Sequence, residues 1–129
     1  MDNTKIVVID DDVQITDTLS KLFAARGGLV SVANTFEDGV AAIQKDQPHL
    51  AVVDIMLGDK SGLELVKLIK STPGPHPYFV VLTNSMSPDH IAEAMEADVT
   101  TFIQKADHDP HEIVEMIAKR LNESGLKKE

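Results

Sequence analysis

Short β-branched runs at residues 6–9, 29–32, 50–53, 79–82 and 100–103 recur along the chain, and between them apolar residues fall at helical spacing. A continuous apolar run of four, rich in Val and Ile, predicts a strand buried on both faces. Ile15, Leu19, Leu22 and Phe23 form a first helical stripe, closed by Gly27-Gly28, and Phe36, Val40 and Ile43 form a second. Ser61-Gly62-Leu63-Glu64 is a capping box and opens a third helix, expected to bury Leu65, Val66, Leu68 and Ile69. Ser87-Pro88 supplies an N-cap and a first-turn proline for a fourth helix over 88–97, whose apolar face is only Ile91, Ala94 and Met95. Asp109-Pro110-His111-Glu112 opens the last, which carries Ile113, Val114, Ile117 and Leu121.

Five strands alternating with five helices predict an α/β fold, a doubly wound parallel sheet with helices on both faces. Right-handed crossovers leave few topologies, and at this size the flavodoxin-like order 2-1-3-4-5 is the expected one. The 129 residues suit one domain, expected to span 1–129 with its core at 4–122 and a polar tail at 123–129. The 73–77 stretch, Pro-Gly-Pro-His-Pro, is a rigid surface connection.

Composition narrows the function classes. A formal net charge of −9 argues against direct binding to a nucleic-acid backbone, which rests on excess Lys and Arg. The chain has no cysteine, which excludes disulfides, thiol nucleophiles and Cys-based zinc sites. No apolar run approaches the roughly 20 residues of a membrane span, and the start lacks the basic and long apolar regions of a signal peptide. A cytoplasmic location is therefore expected, without membrane contact.

The chemistry lies where the strands end. In open α/β sheets ligands bind beyond the carboxyl ends of the strands. The first run ends at Asp10-Asp11-Asp12, the third at Asp54, the fourth at Thr83 and the fifth at Lys105. With strands 1 and 3 adjacent, Asp10, Asp11 and Asp54 share one rim. Two like charges ~4 Å apart repel by about 4 kcal/mol at an effective dielectric near 20, so such a rim raises a carboxyl pKa or binds a cation. Lys105 supplies one positive charge, and Mg²⁺, which prefers carboxylates, carbonyls and water, is the other natural answer. Such a set supports phosphoryl transfer to a carboxylate. Taken singly, each residue has a plainer reading: Asp12 as a helix cap, Asp54 as a turn residue, Lys105 as a solvated charge. Jointly, four of five strands end in the parts of one reaction.

These residues resemble the receiver domain of two-component response regulators. The matching segments are 5–12 (Lys-Ile-Val-Val-Ile-Asp-Asp-Asp), 51–65, 80–83 (Val-Val-Leu-Thr) and 102–105 (Phe-Ile-Gln-Lys), in the family's order over about 4–122. The resemblance implies that Asp54 accepts a phosphoryl group from a phosphohistidine of a histidine kinase or phosphotransfer protein. It implies Mg²⁺ on Asp11 directly, on Asp10 largely through water, on Asp54 and on the Met56 backbone carbonyl. Thr83 and Lys105 would contact the phosphoryl oxygens, and Thr83 and Phe102 would form the switch. It further implies a downstream protein target on the face of helix 4, strand 5 and helix 5, a possible homodimer, and a signalling role rather than an enzymatic one.

Four positions depart from the family pattern. Asn84 stands where a small residue is usual and would narrow access to the acceptor. Ala106 replaces a proline, so a trans bond is expected after Lys105. Gly58 replaces a proline, for which a looser turn is expected. Asp98 replaces a glycine. Two rival readings use the same residues. A pseudo-receiver would keep the fold and signal by binding alone. A haloacid-dehalogenase-type phosphatase would use Asp10 as nucleophile and Asp12 as acid/base, but lacks here an acidic pair after a later strand. A flavin module is excluded, since three aspartates in its phosphate loop would repel the phosphate. His108 and His111 straddle a helix start, a poor geometry for a shared ion.

Overall fold

The computed structural model describes residues 1–84, 87–99 and 101–124, leaving aside the side chains of 123 and 124. Five parallel strands, β1 (Lys5–Ile9), β2 (Leu29–Ala33), β3 (Leu50–Asp54), β4 (Tyr78–Thr83) and β5 (Phe102–Gln104), stand in the order β2-β1-β3-β4-β5. Five helices connect or follow them: α1 (Val13–Ala25), α2 (Phe36–Asp46), α3 (Gly62–Lys70), α4 (Pro88–Glu96) and α5 (Pro110–Ser124). This is the flavodoxin-like α/β architecture expected from the periodicity.

The strand residues divide by parity between two cores. Ile6 and Val8, Leu50 and Val52, and Val80 and Leu82 face α1 and α5, packing on Leu19, Phe23, Ile113, Val114, Ile117 and Leu121. Val7 and Ile9, Ala51 and Val53, and Phe79 and Val81 face the other way, onto Ile43, Leu63, Leu65, Val66, Ile69 and Ala94. Strands buried on both faces need apolar residues at successive positions, hence the unbroken runs in β1, β3 and β4. The edge strand β2 is only partly covered, and its Leu29 and Val32 are exposed.

The helix caps match the sequence signals. Asp12 caps α1, accepting from the backbone of Gln14 and Ile15. Ser61 and Glu64 form the reciprocal box at α3, Ser87 caps α4, and Asp109 and Glu112 exchange the same pair of bonds at α5.

Several expectations are corrected. Leu68 does not join the buried stripe of α3. It is 42% exposed on the flank beside Phe36 and Val40 of α2, and the fully buried Leu63 fills the inner face instead. In α4, Ile91 and Met95 are 43% and 75% exposed, and only Ala94 is buried. The small Ala94 and Ala97 define the face that meets the sheet, which leaves the two longer side chains on the opposite flank. Polar contacts from α3 supplement this thin apolar contact: Ser61 Oγ to Glu93 at 3.2 Å, Lys67 to Glu96 at 3.1 Å, and Lys70 Nζ to the carbonyls of Ala97 and Asp98 at 2.9 and 2.8 Å. β5 begins at Phe102 rather than 100, and residue 100 lies outside the described residues. The expected tail at 123–129 starts inside α5, and 125–129 lie outside the described residues.

The turn at Gly58 is not loose. Met56 pairs with Ser61 and Leu57 with Lys60 in a short antiparallel ribbon closed by Gly58-Asp59, with φ +66° at Gly58. A positive φ at the first central position suits a II′ hairpin turn and is closed to proline. Four residues on, Gly62 starts α3 directly against the end of β3: a Cβ there would lie 2.0 Å from the Asp54 carbonyl oxygen and 2.8 Å from Val53 Cγ1. Gly62→Ala is therefore expected to destabilise the domain by about 2–4 kcal/mol, despite alanine's better helix propensity. Chemical denaturation checks this, and an unchanged midpoint would contradict the close approach.

Candidate functional site

Register brings the strand ends together. Ile9 pairs with both Ala33 and Val53, Asp54 pairs with Leu82, and Thr83 with Gln104, so the residues that follow emerge on one rim. Asp10 is fully buried, and Asp54 and Thr83 are nearly so. Lys105, in a short 3₁₀ turn after β5, places its ammonium 2.9 Å from Asp10 Oδ2 and 3.4 Å from Asp54 Oδ1. Asp11 is exposed at the mouth, where its Oδ2 accepts from the Gly58 N–H at 3.4 Å. Asp10, Asp11, Asp54, Thr83 and Lys105 thus all end at the rim. Phe102 is half-buried against the α2–α3–α4 core, paired in register with Val81. The Met56 side chain is exposed, and its backbone belongs to the ribbon beside the rim.

One carboxylate oxygen from each of Asp10, Asp11 and Asp54 lies within 4.8 Å of the other two. Two Mg²⁺–oxygen bonds of about 2.1 Å span at most ~4.2 Å, so these oxygens approach the size of a single ion's shell, with water completing it. The donor set is all oxygen, as a hard divalent ion requires. Among the described residues no other group of His, Cys, Asp or Glu meets the same criterion, and the His108–His111 array does not.

Burial sets the electrostatics. The Asp54 carboxyl is held up to about 7, first by loss of hydration and then by the Asp10 charge, with Lys105 pulling the other way. For Lys105 burial alone would lower the pKa, but the hydrogen bond to Asp10 and the charges of Asp54 and Asp10 outweigh it and raise it. Lys105 is therefore a fixed cation, and Asp54 is the carboxylate that burial opposes.

Two departures from the family pattern are absorbed locally. Asp98 adopts φ +58°, the conformation a glycine would take, and Lys70 holds its carbonyl. No peptide bond among the described residues is cis, so the bond before Ala106 is trans as expected. Asn84, next to Thr83, is exposed. Sequence reasoning missed Asn34, which follows β2 and donates from Nδ2 to the Asp10 carbonyl at 2.9 Å and to Thr16 Oγ1 at 3.0 Å. The signal was available: β2 also ends at this rim, and its terminal polar residue merited the same scrutiny as the other four.

The raised pKa fixes a sign. A carboxyl that keeps its proton to higher pH when folded takes one up on folding between its ordinary value, near 4, and about 7. Stability is fully present below that window and falls as pH rises through it. Asp54→Asn removes the penalty. At pH 7.5 without divalent ions the variant is expected to melt about 3–6 °C higher than the parent, roughly 1 kcal/mol, with the gap closing toward pH 4. Equal melting curves at pH 7.5 would contradict this assignment.

Comparison with known proteins agrees with this geometry. The family model described as the response regulator receiver domain matches residues 6–118. The acid tolerance regulatory protein ActR of Sinorhizobium medicae is 34% identical over 65 residues, 50% of this chain and 34% of ActR. The photosynthetic apparatus regulatory protein RegA of Rhodobacter capsulatus is 29% identical over 100 residues, 78% of this chain and 54% of RegA. The matched segments thus span about a third to a half of these curated relatives. Among solved structures, a CheY-like response regulator receiver domain protein from Methanospirillum hungatei superposes with TM-score 0.84 at 28% identity, covering 98% of this chain and 99% of the other. DrrB of Thermotoga maritima superposes with TM-score 0.76 at 29% identity, covering 95% of this chain and 54% of DrrB. With a buried acidic rim at its strand ends and the receiver profile running over almost its whole length, this chain belongs to the response regulator receiver domain family.

Proposed function

We propose that this receiver domain is a phosphorylation switch in which Asp54 accepts the phosphoryl group. The observation that carries the reading is the Lys105 ammonium set between Asp10 and Asp54, with Asp11 in the same oxygen cluster. Attack by Asp54 Oδ on phosphorus forms an O–P bond as the bond to the leaving group breaks, and negative charge accumulates on the transferring oxygens. Lys105 and the Thr83 hydroxyl are the donors at that rim, and their contribution is electrostatic. Asp10, Asp11, Asp54 and the Met56 carbonyl would hold Mg²⁺, which when bound neutralises phosphoryl charge and favours the ionised form of Asp54.

After transfer, the new phosphoryl oxygens replace a carboxylate that burial had opposed. Thr83 is drawn toward them and Phe102 follows, which shifts β5 and α4. A tenfold population change requires only about 1.4 kcal/mol of differential interaction, within reach of one charge-assisted hydrogen bond. The thin apolar contact and partly exposed polar contacts of α4 suit it to respond. The phosphodonor in this reading is a histidine kinase or phosphotransfer protein, the reader a protein docking on the α4–β5–α5 face, with homodimerisation as one form of output. In this reading the chain is one receiver domain whose core runs from about residue 4 through α5, acting in the cytoplasm without contacting nucleic acid or membrane.

Incubation with acetyl phosphate and Mg²⁺ is expected to give an adduct of about 80 Da by intact mass, absent in Asp54→Asn and strongly reduced in Lys105→Met. Asn84→Ala is expected to accelerate its formation by opening the approach to the acceptor. Absence of the adduct while Mg²⁺ still binds would refute the acceptor role and leave a pseudo-receiver that signals by docking alone. An adduct that persists in Asp54→Asn but vanishes in Asp10→Asn would move the nucleophile to Asp10, as in the phosphatase reading.

A further inference from the structure

Asn34 lies outside the four strand ends that compose the acceptor site, yet it ties three segments of the rim together. Its Nδ2 carries two protons, and both are used: one on the backbone carbonyl of Asp10 (2.9 Å), the other on Thr16 Oγ1 (3.0 Å). Thr16 is buried in the first turns of α1 and donates its own hydroxyl proton to the Val13 carbonyl, so it is left as an acceptor for Asn34. The orientation of the amide follows, because two acceptors can be served only by the NH₂ end. The Asp10 N–H extends the sheet by donating to the Ala33 carbonyl at 3.1 Å, so Asp10 is gripped on both sides of its peptide by the end of β2. Asp10 Oδ1 in turn accepts from the Asp12 N–H at 3.0 Å, which folds the Asp10-Asp11-Asp12 turn back on itself. With Nδ2 committed, Asn34 also lines, together with Asp11, a cavity of about 190 Å³ that reaches the Gly58–Lys60 turn.

We propose that Asn34 is a positioning residue for the divalent-ion site: by holding the Asp10 carbonyl against α1, it fixes the turn from which the Asp10 and Asp11 carboxylates project. The proposal rests on the metal reading of the site given above. Two carboxylates on a short turn repel each other, a force that would drive them apart in the absence of a cation. The Asn34 bridge opposes that separation, so the ligands are arranged before the ion arrives rather than by it. Residues that orient metal ligands in this way typically change affinity by about 10–100-fold when removed. Charge alone makes the opposite forecast for one variant. Asn34→Asp adds a negative group at the cavity, which would tighten cation binding if only field mattered, but it replaces both donors by acceptors facing the Asp10 carbonyl and Thr16 Oγ1.

The test is isothermal titration of the intact chain with MgCl₂, alongside thermal melts without metal. Wild-type titration first checks the metal reading: no binding there would refute the site itself, independently of Asn34. Given wild-type binding, Asn34→Ala and Asn34→Asp are both expected to weaken Mg²⁺ affinity by about tenfold or more. Thr16→Val, which removes the second anchor, is expected to weaken it less, and Thr16→Ser, which retains the hydroxyl, to restore wild-type affinity. Leu121→Ala, on α5 remote from the rim, serves as a control that lowers melting temperature without moving affinity. Unchanged affinity in Asn34→Ala, or tighter binding in Asn34→Asp, would overturn the proposal. Equal weakening in Leu121→Ala would reduce the effect to stability alone and also overturn it.

Discussion

The rim rests on one ammonium group shared by two carboxylates that have little contact with water. Parallel register sets the ends of β1 and β3 side by side, so Asp10 and Asp54 cannot avoid each other. Lys105 arrives from β5, 95 residues along the chain from Asp10, and its reach across the sheet makes the crowding tolerable. The compensation is incomplete. One cation faces three acids, and Asp54 retains a proton affinity far above that of a free carboxyl. That residual imbalance leaves the rim a place where a divalent cation would offset charge that Lys105 alone does not.

The packing around the rim is graded in the same direction. The central strands and the α1, α3 and α5 faces are held by large apolar side chains that are buried or very nearly so. Helix α4 sits on Ala94 and Ala97 and is otherwise tethered by polar contacts from α3, several of them partly exposed. An exposed ion pair such as Lys67–Glu96 contributes on the order of 0–1 kcal/mol, well below the burial of a Leu or Phe, so α4 is docked less firmly than helices that bury large apolar side chains. One tether, Ser61 to Glu93, starts at the residue paired with Met56 in the ribbon that follows Asp54. The chemistry and the least firmly docked helix therefore share a short physical connection.

The departures from the family pattern are met by local geometry rather than by loss of the site. Gly58 permits a hairpin turn that proline would forbid, and the turn returns a backbone N–H to Asp11. Asp98 takes a left-handed conformation at some steric cost, and the Lys70 ammonium neutralises the carbonyls at the end of α4, which has no basic residue in its own last turn.

Much of this was legible from residue order alone. Runs of Val and Ile uninterrupted by polar residues specify strands covered on both faces, caps at Asp12, Ser61, Ser87 and Asp109 specify helix starts, and right-handed crossover then leaves few sheet orders, of which 2-1-3-4-5 is the common one at this size. From that order, the meeting of Asp10, Asp11, Asp54, Thr83 and Lys105 follows, because strand ends are addresses in a parallel sheet. What residue order did not decide were contacts that depend on the rotation of a helix about its axis, or on a side chain crossing to a neighbouring loop. The exposure of Leu68, Ile91 and Met95, the α3 tethers on α4 and the Asn34 bridge all belong to this class. A stripe of apolar positions is wide enough to allow several helix rotations, and a lone polar residue after a strand has many possible partners. Only the packed tertiary structure selects among them, since each choice is made by neighbours remote in the chain.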